Sequence, residues 1–211
     1  MSGASSPTGR EAGPAAELAV ALDGPVRVLF ERIVSATAAG TPDLTTIGEA
    51  LAELAADRDY ILRWVARIGG TGGSLAIHAP ATGPRLMIAH RPEGGLSAVH
   101  DHGTWVAISP IAGLEAHRRY RVSGEGAGAR LEVFETLSLV PTEAVTLLPP
   151  DDLHDHGHLV GRGLPAHILI VTGDNQRRYT RNEWDLATGR HRVLAPGDAG
   201  RWLATDPWPG P

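Results

Sequence analysis

The chain has no cysteine, which excludes disulfides, thiolate nucleophiles, cysteine-ligated zinc and iron–sulfur clusters. It also has no lysine: all 19 basic residues are arginine. A Schiff base and a pyridoxal phosphate anchor are therefore excluded as well. No apolar run approaches the roughly 20 residues needed to span a bilayer. The opening residues MSGASSPTGREAGPAAE lack the apolar stretch of a signal peptide. A cytoplasmic protein without membrane contact is the expectation. The net charge of -5, with no basic cluster to offset it, argues against a nucleic-acid partner.

What the chain does have is imidazole. Ten histidines are a generous supply of the commonest protein metal ligand. At 42% hydrophobic and 20% charged, the 211 residues have the composition of an ordinary globular protein. That length can bury one good core, so a single structural domain is expected.

The rhythm along the chain changes once. Residues from about 15 to 66 read as helical. Val26–Val34 carries apolar residues at helical spacing, and Thr46-Ile47-Gly48-Glu49 has the form of a capping box before Leu51, Leu54 and Ala55. Asp59–Val65 is a third short helix. Gly69-Gly70-Thr71-Gly72-Gly73 breaks the pattern. From Ser74 onward short strands follow at 75–78, 85–90, 105–108, 130–134, 144–148 and 167–171, with Pro/Gly clusters between them. Evenly spaced short strands indicate a sandwich or closed barrel. The expected order is a mobile segment over 1–14, helices over 15–68, a barrel over 69–195 and a wrap over 196–211.

Two stretches stand out. His100-Asp101-His102-Gly103-Thr104-Trp105 would project both imidazoles from one face of a strand, because alternate strand residues share a face. The tetrapeptide His-Asp-His-Gly returns at 154–157, after the turn-rich Pro149-Pro150-Asp151-Asp152-Leu153. Two such strands facing one another can close a metal site and leave open positions on the ion. A pair of solvated His/Asp turns is the competing interpretation. If its segment is extended, His156 shares a face with His154, as a fourth ligand, an alternative third ligand or a base behind the ligands.

These stretches resemble the cupin superfamily, whose first motif has a glycine, five residues, HxH, a glutamate and a later glycine. Gly94, His100, His102 and Gly113 follow it, but the glutamate position falls on Val106 or Ala107. In the second motif Pro149 and His154 match, while Asp151 and His158 replace a glycine and an asparagine. Loss of the glutamate with three histidines kept is similar to the thiol dioxygenases, meaning cysteine dioxygenase and 3-mercaptopropionate dioxygenase. That likeness extends over residues 74–120, and HDHGTW with Gly113-x-Glu115 carries it. It implies a mainly β fold, a double-stranded β-helix (jelly-roll barrel) preceded by N-terminal α-helices. It implies iron(II) on His100, His102 and His154, with zinc, manganese, nickel or copper as other candidates. It further implies a small thiol as substrate, dioxygen as co-substrate and a sulfinate product, in a monomer or small homo-oligomer.

The likeness has gaps. The family's Ser-His-Tyr relay falls on His167, Leu169 and Val171, and none of them matches. Tyr120 or Tyr179 would have to supply a hydroxyl from elsewhere. The family's arginine or glutamine before the HDH strand falls on Ser74. Arg181, at the end of Arg177-Arg178-Tyr179-Thr180-Arg181, lies where mercaptopropionate dioxygenases carry an arginine, and a guanidinium suits a carboxylate. Arg181 and Trp105 are therefore the substrate-binding candidates. His156 and Tyr179 are the candidates for acting behind the ligands, and His158 and His167 are further donors. The gaps leave two other classes open: a cupin isomerase, lyase or hydrolase using zinc, manganese or nickel as Lewis acid, and a non-catalytic small-molecule binder.

Overall fold

The computed structural model describes residues 22, 24–68, 73–91, 95–124, 130–158, 166–186 and 190–198. The proposed N-terminal segment over 1–14 and most of the proposed wrap lie outside the described residues. Three helices come first: α1 (Gly24–Thr37), α2 (Leu44–Ala56) and α3 (Arg58–Ile68). In α1, Val26, Leu29, Phe30 and Ile33 bury one stripe at helical spacing. α2 does not start on the Thr46–Glu49 box. Its N-cap is Asp43, whose carboxylate accepts from the Thr46 amide at 3.2 Å and the Thr46 hydroxyl at 2.7 Å. An aspartate three residues upstream took the capping place because it can satisfy that amide directly. No helix of the described residues is long and apolar enough to cross a membrane.

Twelve strands follow: β1 (Gly73–His78), β2 (Arg85–Arg91), β3 (Gly95–Leu96), β4 (Val99–His100), β5 (Val106–Ala112) and β6 (Glu115–Ser123) come first. β7 (Arg130–Leu139), β8 (Val145–Leu147), β9 (His154–His158), β10 (Ala166–Thr172), β11 (Arg181–Asp185) and β12 (Arg190–Leu194) complete the set. They form two antiparallel sheets, ordered β1-β2-β10-β5-β8 and β12-β11-β4-β9-β6-β7, with β3 on β9. The neighbours are far apart in sequence, as a double-stranded β-helix requires. The sequence reading anticipated β1, β2, β5, β7, β8 and β10 and missed β3, β6, β11 and β12.

The first sheet is buried on both faces. Leu86, Ile88, Leu169 and Val171 meet Leu29, Ile33, Ile47, Leu51 and Ile61 of the helices. From the opposite face Ala89, Val106, Ile108 and Ile168 pack with Leu147 and, from the second sheet, Leu139. The runs Leu86–Ala89 and Ile168–Val171 are therefore apolar at every position, since each residue has a core to enter. The helices join the same core as the barrel. Leu51→Ala, at a fully buried position, should lower unfolding free energy by about 3 kcal/mol and leave one cooperative transition. Urea unfolding followed by circular dichroism and tryptophan fluorescence measures this. Two separated transitions would show that the helices fold apart from the barrel.

Candidate metal centre

The second sheet builds the site. β4 ends at His100, which is in register with Glu183 of β11 and His154 of β9. His102 lies beyond the strand, yet its backbone stays tethered: Asp101 N donates to Asn182 O at 3.1 Å, and His102 N donates to Asp152 Oδ2 at 2.9 Å. Gly103 turns the chain at φ +66°, where an added Cβ would come within 2.6 Å of Tyr179 Cβ. β9 pairs with β6 so that His154 faces Arg119 and His156 faces His117. Alternation then puts His154, His156, His117 and Glu115 on one inward face.

The aspartate inside each HDH motif has a different task. Asp155 points the other way and is fully buried, accepting from Arg118 Nε at 2.9 Å and the Tyr120 hydroxyl at 2.8 Å. Asp101 accepts from Asn182 N and Nδ2 at 2.8 and 2.6 Å. Each aspartate clamps a neighbouring strand, so the histidines beside it are held facing inward.

The rings cluster tightly. Centroids of His100 and His154 are 4.5 Å apart, His100 and His156 5.8 Å, and His154 and His156 5.4 Å. Rings that share an ion about 2.1 Å from each nitrogen have centroids about 4.5–6 Å apart. One ring nitrogen of each is already spent. Nδ1 of His100 donates to Ala98 O at 3.0 Å, and Nδ1 of His154 to Asp152 O at 2.7 Å. His156 Nδ1 meets Glu115 Oε1 at 2.5 Å. A carbonyl or carboxylate behind Nδ1 sets the tautomer that leaves Nε2 as the ligand atom. Ligand atoms of these three residues lie within 4.8 Å of one another, a group that could hold a metal ion.

His102 is not in this group, although its centroid, 4.9 Å from His100 and 5.0 Å from His154, lies in the same range. Neither of its buried nitrogens has a hydrogen-bond partner at ordinary length, and the Gln176 side chain lies close enough to oppose the lowering of its pKa. Burial, then the His100 ring, push His102 and His154 well below the ordinary histidine pKa. Burial brings His117 down to about 3. Neutral imidazole is the form that binds metal. His154 Nε2 is buried and unpartnered, a need that an ion would meet. The donor set fits iron, zinc, copper or nickel.

Two residues beside the rings were given no site role in the sequence, although Glu115 was quoted in the family likeness. Val106 and Ala107, where the motif's glutamate was sought, belong to the apolar cores. A buried carboxylate arrives instead from β6, as Glu115 on His156. His117 was missed with it. The alternation of polar residues at Glu115, His117 and Arg119 was the available signal.

Other candidates fall elsewhere. Trp105 packs in the helix-side core, so close under Gly173 that a Cβ there would meet its Nε1 at 2.4 Å. The Tyr179 hydroxyl donates to Asp174 Oδ2 at 3.0 Å. His167 is not a donor behind the ligands: it bonds His90 at 2.9 Å on the face it shares with Leu169 and Val171, towards the helices. The His158 side chain lies outside what is described. Arg177 and Arg178 are exposed in a 3-10 turn, whereas Arg181 is 9% exposed. Arg181 Nη2 donates to Asp198 O at 3.1 Å, its Nε is buried without a partner, and its charge acts on His102.

No family model matches the chain, and no curated protein does. Solved structures do. Hydroquinone 1,2-dioxygenase PnpCD, in complex with cadmium and 4-hydroxybenzonitrile, aligns with a TM-score of 0.39 and 14% identity, over 56% of this chain and 76% of that one. A cupin superfamily protein from Desulfitobacterium hafniense aligns at 0.36 and 12%, over 50% and 80%. Peruvianin-I, a cysteine peptidase from Thevetia peruviana latex, aligns at 0.36 and 13%, over 49% of this chain and 61%, less than two thirds, of that one. At such scores the fold and the site rest on this chain's own topology and contacts.

The buried neutral histidines tie stability to pH. Unfolded histidines take up protons near 6.5, while folded His117 resists until about 3. The stabilisation is complete above pH 6.5 and is lost progressively as pH falls towards 3, because the unfolded state binds more protons. Urea unfolding of the metal-free protein from pH 7.5 to 5 should show it. A flat profile would contradict the buried neutral cluster.

Proposed function

We propose that this chain is a mononuclear, cupin-type iron(II) oxygenase acting on a small, carboxylate-bearing thiol. The single observation that carries the reading is the convergence of imidazoles from two sequence-distant strands, each ring held by its Nδ1. The HDHGTW resemblance supports the thiol and dioxygen. The ligand set we favour is His100, His154 and His156, with His102 as a neighbouring imidazole. It differs from the family's set by one residue.

Iron, when bound, supplies Lewis acidity and one-electron chemistry at two or more open positions. The remaining tasks belong to this chain. Glu115 keeps the His156 Nδ1 proton and fixes that ring's aim. Three neutral ligands leave the ion's charge uncancelled, which favours an anionic thiolate. Arg181 makes no ion pair among the described residues and offers its buried Nε–H to a substrate carboxylate. Burial of His154, His156 and His102 limits bulk water at those rings.

One observation favours a second reading, a Lewis-acid isomerase, lyase or hydrolase. The hydroxyls of Tyr120 and Tyr179 are taken by Asp155 and Asp174, so neither rebuilds the missing relay.

Anaerobic reconstitution with ferrous iron, followed by a thiol panel in air, tests the main reading by mass spectrometry. A gain of two oxygens on one thiol is the expected result. Turnover that persists without oxygen, or with zinc alone, would favour the second. For the ligands, His156→Ala should retain under a tenth of wild-type iron, and His102→Ala most of it. Glu115→Gln should weaken metal affinity about 10- to 100-fold. Iron lost with His102→Ala but kept with His156→Ala would restore the family's set.

A further inference from the structure

His117 lies on the inward face of the site but has been given no task so far. β6 presents it inward, in register with His156 and two residues from Glu115. It is wholly buried, and neither ring nitrogen has a hydrogen-bond partner. Its ring lies nearly parallel to His154, at 9° and 4.7 Å between centroids, and 5.7 Å from His156. Neither of those rings can satisfy it through Nδ1, since those atoms are engaged on Asp152 and Glu115. Packing alone does not ask for imidazole here. An apolar side chain would fill the place without burying two polar atoms. Nor does His117 join the group of ligand atoms that could hold the ion.

We infer that His117 binds the exogenous ligand: a neutral imidazole donating a hydrogen bond to a small anion seated on the ion beside His154 and His156. The inference rests on the ion-site reading above. A neutral imidazole offers one donor and one acceptor at fixed angles. It therefore selects anions that carry a second acceptor near the atom meeting the ion, and it discriminates against apolar ligands of equal size. This wall is separate from Arg181, whose charge acts on His102.

Azide is a suitable probe because it is small, anionic and needs no turnover. Cobalt-loaded wild type, His117→Phe and His117→Gln would be titrated with azide by visible absorption, with cobalt content measured on each. All three should hold one cobalt per chain. The Phe variant should bind azide about 10-fold or more weakly, the loss expected for a hydrogen bond to a charged group. The Gln variant, which keeps a donor, should recover most of the affinity. In zinc-loaded wild type the His117 ring nitrogens should shift in nitrogen NMR on adding azide, a readout that needs no variant. Unchanged azide affinity in His117→Phe, or a His117 resonance indifferent to azide, would overturn the inference. Cobalt lost from a folded His117→Phe would overturn it too, by making His117 a ligand. Wild type that takes up no cobalt would instead remove the ion site itself.

Discussion

Everything at the site depends on the register of β9 between β4 and β6. That strand is five residues long and carries His154, Asp155 and His156 in immediate succession. Strand alternation sends the two imidazoles one way and the carboxylate the other. A slip of one residue would put Asp155 inside and both rings outside. The register is held from the back, where Arg118 and Tyr120 grip Asp155, and at the entry, where Asp152 does two jobs. Its carboxylate holds the His102 amide while its carbonyl takes the His154 Nδ1 proton. The two HDH motifs are thereby joined through one buried aspartate, and losing it would loosen both at once.

The helices matter to this arrangement indirectly. They cover the outer face of the β1-β2-β10-β5-β8 sheet, which makes that sheet a wall with a core on each side. The facing sheet can then give its inward positions to polar residues, because the apolar burial that holds the fold is found elsewhere. A β-sheet with Glu115, His117, His154 and His156 on one face would be a poor core. It is affordable here because Leu86, Ile88, Leu169 and Val171 are buried against helices instead.

This division explains what was legible in the sequence. The first sheet announced itself through apolar runs: β2 and β10 were found with nearly their observed bounds, while β5 runs four residues beyond its expected end at Ile108. β6, β11 and β12 hid because EAHRRYRVS, RNEWD and RHRVL lack an apolar stripe; β6 and β11 bury polar residues such as Glu115, His117 and Glu183. The doubled His-Asp-His-Gly revealed which segments meet, since repeated chemistry survives without any periodicity. It could not rank His102 against His156. That choice turns on a buried carboxylate forty-one residues away in the chain, and on β4 ending before His102. The proposal of His156 rests on Nδ1 partners, which no spacing rule encodes.

The same partners bear on what the site can accept. Of the carboxylates near the rings, buried Glu115 is on His156, buried Glu183 on Arg192 and half-buried Asp101 on Asn182. Each of them thus already has a hydrogen-bond donor inside the protein. Arg181 differs. Glu183 and Asp101 favour its charge from nearby, yet burial prevails and holds its pKa below the usual arginine range. Its described hydrogen bond is to the Asp198 carbonyl, a neutral group. A desolvated cation without a carboxylate of its own is costly unless a ligand provides one. With three neutral imidazoles around the ion, an incoming anion would meet two uncompensated positive centres. On the function proposed above, the arrangement would suit a molecule with negative charge at both ends, one for metal and one for guanidinium.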